Sequence, residues 1–208
     1  TIPHKIDIIP LLDKTSENVR EMGACNTLYR DGEKICGENT DVIGFTAPLR
    51  KRSLSPETRV LVLGAGGVSR AAIAGLRRLG LANITLTNRR KERAEALCNE
   101  FGLLCAPWEE RGDVPADLII NTTPLGMTGA QEHETPYPRA FQDNGIAYDL
   151  IYTPFQTRFL RDAAAAGWET VSGLDMFIGQ GDAQFHLWTG HHLPEEAITA
   201  VTSALYGQ

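Results

Sequence analysis

The sequence predicts an α/β protein: a Rossmann-like, doubly wound parallel sheet flanked by part of a second α/β domain for a substrate. Two observations predict the sheet. From Arg59 to about Val171, short apolar runs alternate with helical stretches, the pattern of parallel strands joined by crossover helices. The first apolar run leads into a glycine-rich turn that opens a helix. With 208 residues, 42% of them hydrophobic, the chain can bury a substantial core.

The apolar runs predict five strands and a candidate sixth, separated by helical stretches. The predicted strands are Arg59–Leu63, Asn83–Thr87, Leu103–Ala106, Leu118–Asn121 and Ile146–Leu150, with Glu169–Val171 as the sixth candidate. The predicted helices are Val68–Leu79, Arg90–Phe101, part of Tyr137–Phe141, and Gln156–Ala166. Gly80, Gly102 and Gly167 follow three of these helices, where glycine commonly ends a helix.

Residues 1–40 and 174–208 flank the predicted sheet domain, which spans 41–173. Together the flanks hold fewer residues than a typical domain of roughly 100–150 residues. We therefore expect them to form one substrate domain whose N-terminal part is missing from this chain, which opens without a methionine. Strand-like pieces are expected at Cys25–Tyr29 and Lys34–Gly37, and helices at Met176–Trp188 and Pro194–Tyr206.

The turn over residues 64–69, Gly-Ala-Gly-Gly-Val-Ser, is suited to bind phosphate. A buried strand, a glycine turn and a helix aim free backbone N–H groups at one point. Because Gly64, Gly66 and Gly67 lack a Cβ, a pyrophosphate can approach the helix N-terminus. Ser69 replaces the third glycine of the usual fingerprint, so the turn alone is weak support for a dinucleotide site.

The end of the second predicted strand favours NADP over NAD. About 20 residues past the turn, NAD-binding units place a carboxylate for the ribose 2′-hydroxyl. Here the strand is followed by Asn88, and Arg89 and Arg93 lie at the start of a helix, where guanidinium groups can hold a 2′-phosphate. The alternative interpretation is a solvated helix face rich in Arg and Glu.

Composition excludes several other classes of partner. The net charge is −6, from 26 acidic and 20 basic residues without a long basic stripe, so nucleic acid is not expected. No apolar stretch approaches the roughly 18 residues of a membrane-spanning helix. The four cysteines show neither C-x-x-C pairing nor nearby histidine spacing, so no metal site is predicted and a reducing cytoplasm fits best. The sequence does not indicate an oligomeric state.

The flanks hold a compact set of polar side chains that suits a polyol substrate: Lys5, Asn26, Thr27 and the run Glu-Asn-Thr-Asp over 38–41. An asparagine amide can donate to and accept from vicinal hydroxyls, and a carboxylate accepts from them. A lysine can exchange a proton with the hydroxyl that loses its hydride.

Six sequence motifs occur in a fixed order along the chain. They are Thr-Ile-Pro-His-Lys (1–5), Gly-Ala-Cys-Asn-Thr-Leu (23–28), Glu-Asn-Thr-Asp-Val-Ile-Gly-Phe (38–45), Gly-Ala-Gly-Gly-Val-Ser-Arg (64–70), Asn-Thr-Thr-Pro-Leu-Gly-Met (121–127) and Gly-Leu-Asp-Met (173–176). In these motifs the chain resembles the shikimate dehydrogenase (shikimate/quinate dehydrogenase) family. The resemblance implies an NADP-dependent oxidoreductase of aromatic amino-acid biosynthesis that interconverts shikimate and 3-dehydroshikimate.

The resemblance also implies roles for single residues. Lys5 matches the family's catalytic lysine, and Asp41 matches its aspartate partner. The residues that match substrate-binding positions are Asn26, Tyr152 and Gln180. Those similar to residues around the nicotinamide are Met127, Gly173 and Met176, and those similar to the adenosine phosphate clamp are Asn88, Arg89 and Arg93.

Two chemical roles are open for Lys5. As a neutral base it would take the hydroxyl proton. The adjacent carboxylate of Asp41 instead favours the ammonium form, which would donate to a developing alkoxide.

Two departures from the family pattern leave alternatives open. The chain begins inside the lysine motif, so the serine pair that holds the substrate carboxylate in the family is expected to be absent. Asp175 and Asp182 stand where the family more often has small or apolar residues. The alternatives are a quinate/shikimate-type dehydrogenase with a different substrate and an inactive NADP-binding fragment.

Overall fold

The computed structural model describes residues 4–207, which form a small and a large sheet with helices packed between and around them. The first part of the chain contains β1 (Lys14–Thr15), α1 (Glu17–Met22), β2 (Thr27–Asp31), β3 (Lys34–Glu38) and α2 (Asp41–Leu49). The three strands form the small sheet in the order β1-β3-β2, with β1 parallel and β2 antiparallel to β3. Gly32, at a φ of 62°, supplies the positive φ that the tight β2–β3 hairpin needs.

The next part of the chain contains β4 (Val60–Leu63), α3 (Gly67–Arg78), β5 (Ile84–Thr87), α4 (Lys91–Phe101), β6 (Leu104–Cys105), β7 (Leu118–Asn121), β8 (Ile146–Asp149), α5 (Arg158–Ala165) and β9 (Glu169–Val171). Its six strands form the large parallel sheet in the order β6-β5-β4-β7-β8-β9. The strand order reverses between β4 and β7, as in doubly wound dinucleotide-binding folds. The predicted fold class is confirmed, and so are all six strands.

The central strands are buried on both faces, which explains their unbroken apolar runs. Val60 and Val62 of β4 pack with α2, α3 and α4 on one face of the sheet. Leu61 and Leu63, which alternate with them, pack with α5 on the other face. The helix pattern predicted from the sequence therefore corresponds to helices that cover both sides of one sheet.

The helix predicted over part of Tyr137–Phe141 is wrong, because this segment has no helix or strand. Pro136 and Pro138 each lack a backbone N–H, and each disfavours helical geometry at the residue before it. The apolar side chains that suggested a helix instead anchor a loop: the Tyr137 and Phe141 rings lie 4.9 Å apart, and Phe141 packs against α5.

The chain ends in two helices, as predicted: α6 (Gly173–Thr189) and α7 (Glu195–Tyr206). α6 crosses α2 at very short range, since a Cβ on Gly44 would lie 2.5 Å from the Met176 carbonyl oxygen. This crossing brings the small sheet beside the large one. Sequence reasoning missed α1 and α2. The domain bounds, 1–40 with 174–208 against 41–173, stay a prediction. Within residues 4–207, no helix has both the length and the apolar character needed to cross a membrane.

Candidate active site

Lys5, Asp41 and Asn26 form one hydrogen-bonded cluster. The Lys5 Nζ donates to Asp41 Oδ2 over 2.7 Å, and the Asn26 Nδ2 donates to Asp41 Oδ1 over 2.8 Å. The side chains of Lys5 and Asp41 are 28% and 20% exposed, so the pair is sheltered but still reached by solvent. Thr1 to Pro3 of the first motif lie outside the described residues.

The start of α2 holds Asp41 in place. Asp41 lies in the first turn of this helix, where the helix dipole favours a carboxylate. Its backbone N–H donates to Asn39 Oδ1 over 3.0 Å, and the Asn39 amide donates to the Ala24 carbonyl over 2.9 Å. The Asn26 amide is fixed as well, since its Oδ1 accepts from the Thr40 backbone N–H over 3.0 Å.

Glu38 has an internal role in this motif. Its Oε1 accepts from Ser16 Oγ, Asn18 Nδ2 and the Asn39 backbone N–H over 2.6 to 2.7 Å. The carboxylate therefore joins α1 to the end of β3 and holds the strand that leads into Asn39 and Asp41.

The glycine turn after β4 has the form expected of a phosphate site. Gly64 has a φ of 115°, and a Cβ there would lie 2.5 Å from Thr122 Oγ1. A Cβ on Gly66 or Gly67 would meet no atom within 4 Å, so both face open space at the start of α3. The turn thus leaves room beside a helix N-terminus, the arrangement that binds a pyrophosphate.

Ser69 stabilises this turn. Its Oγ accepts from the Gly66 N–H over 2.9 Å and lies 2.7 Å from Thr122 Oγ1. Since Thr122 donates its own hydroxyl hydrogen to the Leu63 carbonyl, Ser69 is the donor of that pair. The residue that replaces the third glycine therefore ties α3 to the end of β7. Thr122 belongs to the 121–127 motif, but no role was predicted for it, because nothing in the local pattern signals a contact across 53 positions.

A cavity of about 210 Å³ lies beside the turn. Among the predicted cofactor-binding residues it is lined by Gly64, Gly66, Asn88, Arg89 and Arg93, and Gly67 follows directly in α3. Asn88 also bridges within the protein: its Oδ1 accepts from the Ala65 N–H over 3.2 Å, and its Nδ2 donates to the Arg90 carbonyl over 2.8 Å. Trp108, which sequence reasoning did not single out, lines the same cavity.

A second cavity, of about 540 Å³, has mostly apolar walls. It is lined by six of the predicted site residues: Asp41, Met127, Tyr152, Gly173, Met176 and Gln180. Residues 122–124 line both cavities, so the phosphate side and the Asp41 side meet at the end of β7. Lys5 and Asn26 line neither cavity, but both are bonded to Asp41, which lines the second.

Internal contacts hold Tyr152 and Gln180. The Tyr152 ring stacks on Phe177 with centroids 5.0 Å apart, and its backbone carbonyl accepts from the Tyr206 hydroxyl. The Gln180 Nε2 donates to the Phe177 carbonyl over 3.1 Å. Phe177 of α6 therefore links two of the three residues predicted to bind substrate, Tyr152 and Gln180.

The two acidic departures lie outside both cavities. Asp182 accepts from the Leu193 N–H over 2.7 Å and contacts the His192 ring nitrogen Nδ1 at 2.8 Å, which fixes the connection from α6 to α7. Asp175 is exposed in the first turn of α6. Neither position gives a structural reason for an altered substrate.

Comparison with known proteins identifies the family. Residues 49–110 match the family described as Shikimate / quinate 5-dehydrogenase, and residues 173–201 match the Shikimate 5'-dehydrogenase C-terminal domain. A shikimate dehydrogenase (NADP(+)) of Pelobacter propionicus is 55% identical over 208 residues, which cover 99% of this chain and 75% of that protein. The chain belongs to the shikimate dehydrogenase family.

Solved structures of this family share the fold. The Thermus thermophilus shikimate 5-dehydrogenase, in complex with NADP(H) and shikimate, matches with a TM-score of 0.85 and 36% identity, over 99% of this chain and 77% of that one. A quinate dehydrogenase from Corynebacterium glutamicum, in complex with NAD, matches with a TM-score of 0.84 and 30% identity, over 99% of this chain and 76% of that one. The resemblance drawn from the six motifs is thereby confirmed.

The residues of the first cavity fit the NADP of the shikimate dehydrogenase family. The open space at Gly66 and Gly67 accommodates phosphate oxygens, which side chains there would displace. Arg89 and Arg93 add guanidinium donors on the same cavity wall. This donor set suits an additional phosphate on the adenosine ribose.

Proposed function

We propose that this chain catalyses the NADP-dependent interconversion of shikimate and 3-dehydroshikimate. The observation that carries the proposal is the position of Asp41: it is bonded to Lys5 and Asn26 and lines a cavity that shares residues 122–124 with the phosphate cavity. A polyol held at this polar cluster would lie beside the dinucleotide cleft. NADP, when bound, supplies the nicotinamide that accepts or returns a hydride.

Lys5 and Asp41 handle the proton in this proposal. Asp41 lies 2.7 Å from Lys5 and holds its ammonium group in place, and this group can protonate the substrate oxygen when the ketone is reduced. In the oxidation, the same nitrogen takes the hydroxyl proton back. Since Lys5 is 28% exposed, the proton can exchange with water between turnovers.

Asn26, Tyr152 and Gln180 position the substrate. The Asn26 Nδ2 is divided between Asp41 and Thr40, so a substrate hydroxyl would join an existing network. Tyr152 is 41% exposed and lines the same cavity as Asp41, which suits a ring that covers the substrate. Met127, Gly173 and Met176 supply an apolar wall for the nicotinamide.

We also propose the setting of this activity. The substrate is a small molecule, and the four free thiols suit the reducing cytoplasm. The net charge of −6 does not favour nucleic acid as a partner.

The test is a matrix of initial rates with shikimate or quinate, each with NADP or NAD, beside a separate titration of NADPH binding. We expect turnover with shikimate and NADP to exceed the other three combinations. Faster turnover with quinate would assign the chain to the quinate-type alternative. Binding of NADPH without turnover of either substrate would identify the chain as a cofactor-binding fragment and overturn the proposal.

A further inference from the structure

Asp149 is a buried carboxylate at the centre of the large sheet that the mechanism above does not use. It is the last residue of β8 and is 0% exposed. It lies at the carboxyl end of the strand, where ligands bind in doubly wound sheets, yet it lines neither cavity. Any influence of Asp149 on the reaction must therefore pass through the residues it contacts.

Three donors from different parts of the chain converge on this carboxylate. Its Oδ1 accepts from Asn121 Nδ2 and from the Ile151 backbone N–H, each over 3.0 Å. Its Oδ2 accepts from Thr157 Oγ1 over 2.6 Å. Asp149 is therefore a junction between β7, the segment after β8, and the start of α5.

The Asn121 contact reaches one wall of the cleft. The Asn121 Nδ2 donates to Asp149 and to the Leu125 carbonyl. This leaves the Asn121 Oδ1 facing Thr123, where it accepts from the backbone N–H over 2.9 Å and from the hydroxyl over 2.7 Å. Thr123 lines both cavities. The orientation of one amide, set by Asp149, therefore shapes the loop over residues 121–127.

The other two contacts reach a second segment of the cleft wall. Ile151 and the two residues after it line the second cavity. Thr157 caps α5, since its hydroxyl oxygen accepts from the Leu160 N–H over 3.3 Å. Thr157 also packs closely on the loop 121–127, because a Cβ added to Gly126 would lie only 3.2 Å from the Thr157 Cβ. The Asp149 side chain thus holds residues 150–157 against residues 121–127 at their common base, beside a backbone hydrogen bond from the Leu150 N–H to the Asn121 carbonyl over 3.0 Å.

We propose that Asp149 is a positioning residue that ties the loop 121–127 to the segment 150–157 and so sets the separation of these two segments of the cleft wall. The kinetic part of this inference rests on the proposed function. Hydride transfer depends steeply on distance, and a displacement of about 1 Å can cost about a hundredfold in rate. Gly66 and Arg89, predicted to bind phosphate, lie outside the tie, whereas Thr123 of the tied loop lines both cavities, so NADPH affinity should change less than turnover.

The decisive comparison is Asp149→Ala against Asp149→Asn. Alanine removes all three acceptor interactions. Asparagine keeps an oxygen for Asn121 and Ile151, and its amide can donate to the Thr157 oxygen, so it should restore the tie. Asp162→Asn is the matched control, because Asp162 is exposed on α5 and pairs only with Arg158 among the described residues. If the alanine variant does not fold, Thr157→Val and Thr157→Ser replace the pair of Asp149 variants. Valine removes the hydroxyl that donates to Asp149 Oδ2, and serine keeps it.

Two readouts separate this proposal from the function itself. Hydrogen exchange, which needs no turnover, should accelerate about tenfold or more in both 121–127 and 150–157 in Asp149→Ala and stay near wild type in Asp149→Asn. The kcat per NADPH-binding site should fall about tenfold to a hundredfold in the alanine variant, with NADPH affinity within about threefold of wild type.

Three results would overturn the proposal: an unchanged kcat per site, faster hydrogen exchange in only one of the two segments, or exchange in Asp149→Asn as fast as in Asp149→Ala. Should the wild type show no turnover, the proposed function fails while the exchange comparison still decides the role of Asp149.

Discussion

The Lys5 ammonium group lies 2.7 Å from a carboxylate oxygen of Asp41, although the two residues are 36 positions apart in the sequence. One comes from the start of the chain and the other from the first turn of α2. Asp41 is also bonded to the side-chain amides of Asn26 and Asn39, which lie next to the ends of strands of the small sheet, so the carboxylate is held before any ligand arrives.

Replacing Lys5 with alanine should therefore remove proton transfer and leave the cofactor site intact. Because general acid–base catalysis contributes about 10² to 10⁴ in rate, we expect kcat/KM for shikimate to fall within that range. NADPH affinity, measured by fluorescence titration, should stay near wild type. The control is Lys14→Ala, since Lys14 is exposed and pairs with Asp31 far from the cleft. Equal loss in both variants would contradict the assignment of Lys5.

Arg89 and Arg93 should decide between NADP and NAD. Both line the phosphate cavity and are exposed, so their loss should not disturb the core. A hydrogen bond to a charged group contributes about 1.5–3 kcal/mol, so each alanine substitution should weaken NADP binding about tenfold to a hundredfold. NAD lacks the 2′-phosphate, and its affinity should hardly change. Calorimetric titration of both cofactors checks this, with Arg139→Ala as a control, because Arg139 pairs with Asp113. A parallel loss of NAD binding would argue against a 2′-phosphate contact.

The large sheet was predictable from sequence because its central strands are buried on both faces. Val60 to Leu63 read as one apolar run, and the turn that follows must be glycine-rich since Gly64 has a positive φ and almost no room for a Cβ. Such local requirements restrict the residue types at these positions and can therefore be recognised from the sequence.

Contacts between segments that are distant in the sequence produce no local pattern from which they could be predicted. α2 contains Gly44 and Pro48, both poor helix formers, and it is stabilised by packing on α6, which local propensity does not report. In the same way, the Ser69–Thr122 contact and the three donors around Asp149 follow from the fold and not from spacing. Lys5, Asp41 and Asn26 were singled out as candidates from residue type and family motif, and only the coordinates join them into one cluster.

Two glycines of the same turn should respond to alanine in opposite ways. At Gly64 the positive φ and the 2.5 Å approach to Thr122 should make alanine destabilising by about 1–3 kcal/mol. At Gly66 the backbone φ is −94° and a Cβ meets open space, so stability should change by less than about 0.5 kcal/mol. The Gly66→Ala side chain would instead occupy room for the pyrophosphate and weaken NADPH binding. Urea denaturation beside NADPH titration separates the two effects, and a destabilised Gly66→Ala with full affinity would contradict this account of the turn.

Asp149 should also make stability depend on pH. Burial raises the pKa of its carboxyl from 3.8 to about 7, against the opposing effect of its hydrogen bonds from Thr157, Ile151 and Asn121. The folded protein thus holds this proton more tightly than the unfolded chain does. Its contribution to the unfolding free energy is fully present below about pH 4 and is lost as the pH rises to about 7, by a total of about 4 kcal/mol.

The check is urea denaturation of the wild type and Asp149→Asn at several pH values across this window. Since asparagine does not titrate, the variant should gain stability relative to the wild type as the pH rises from about 4 to about 8. The Asp162→Asn variant should show no such trend, because Asp162 is exposed. A constant difference between the wild type and Asp149→Asn over the whole window would mean that Asp149 ionises equally easily in the folded and unfolded states. In that case its three donors would fully offset the cost of burying the charge.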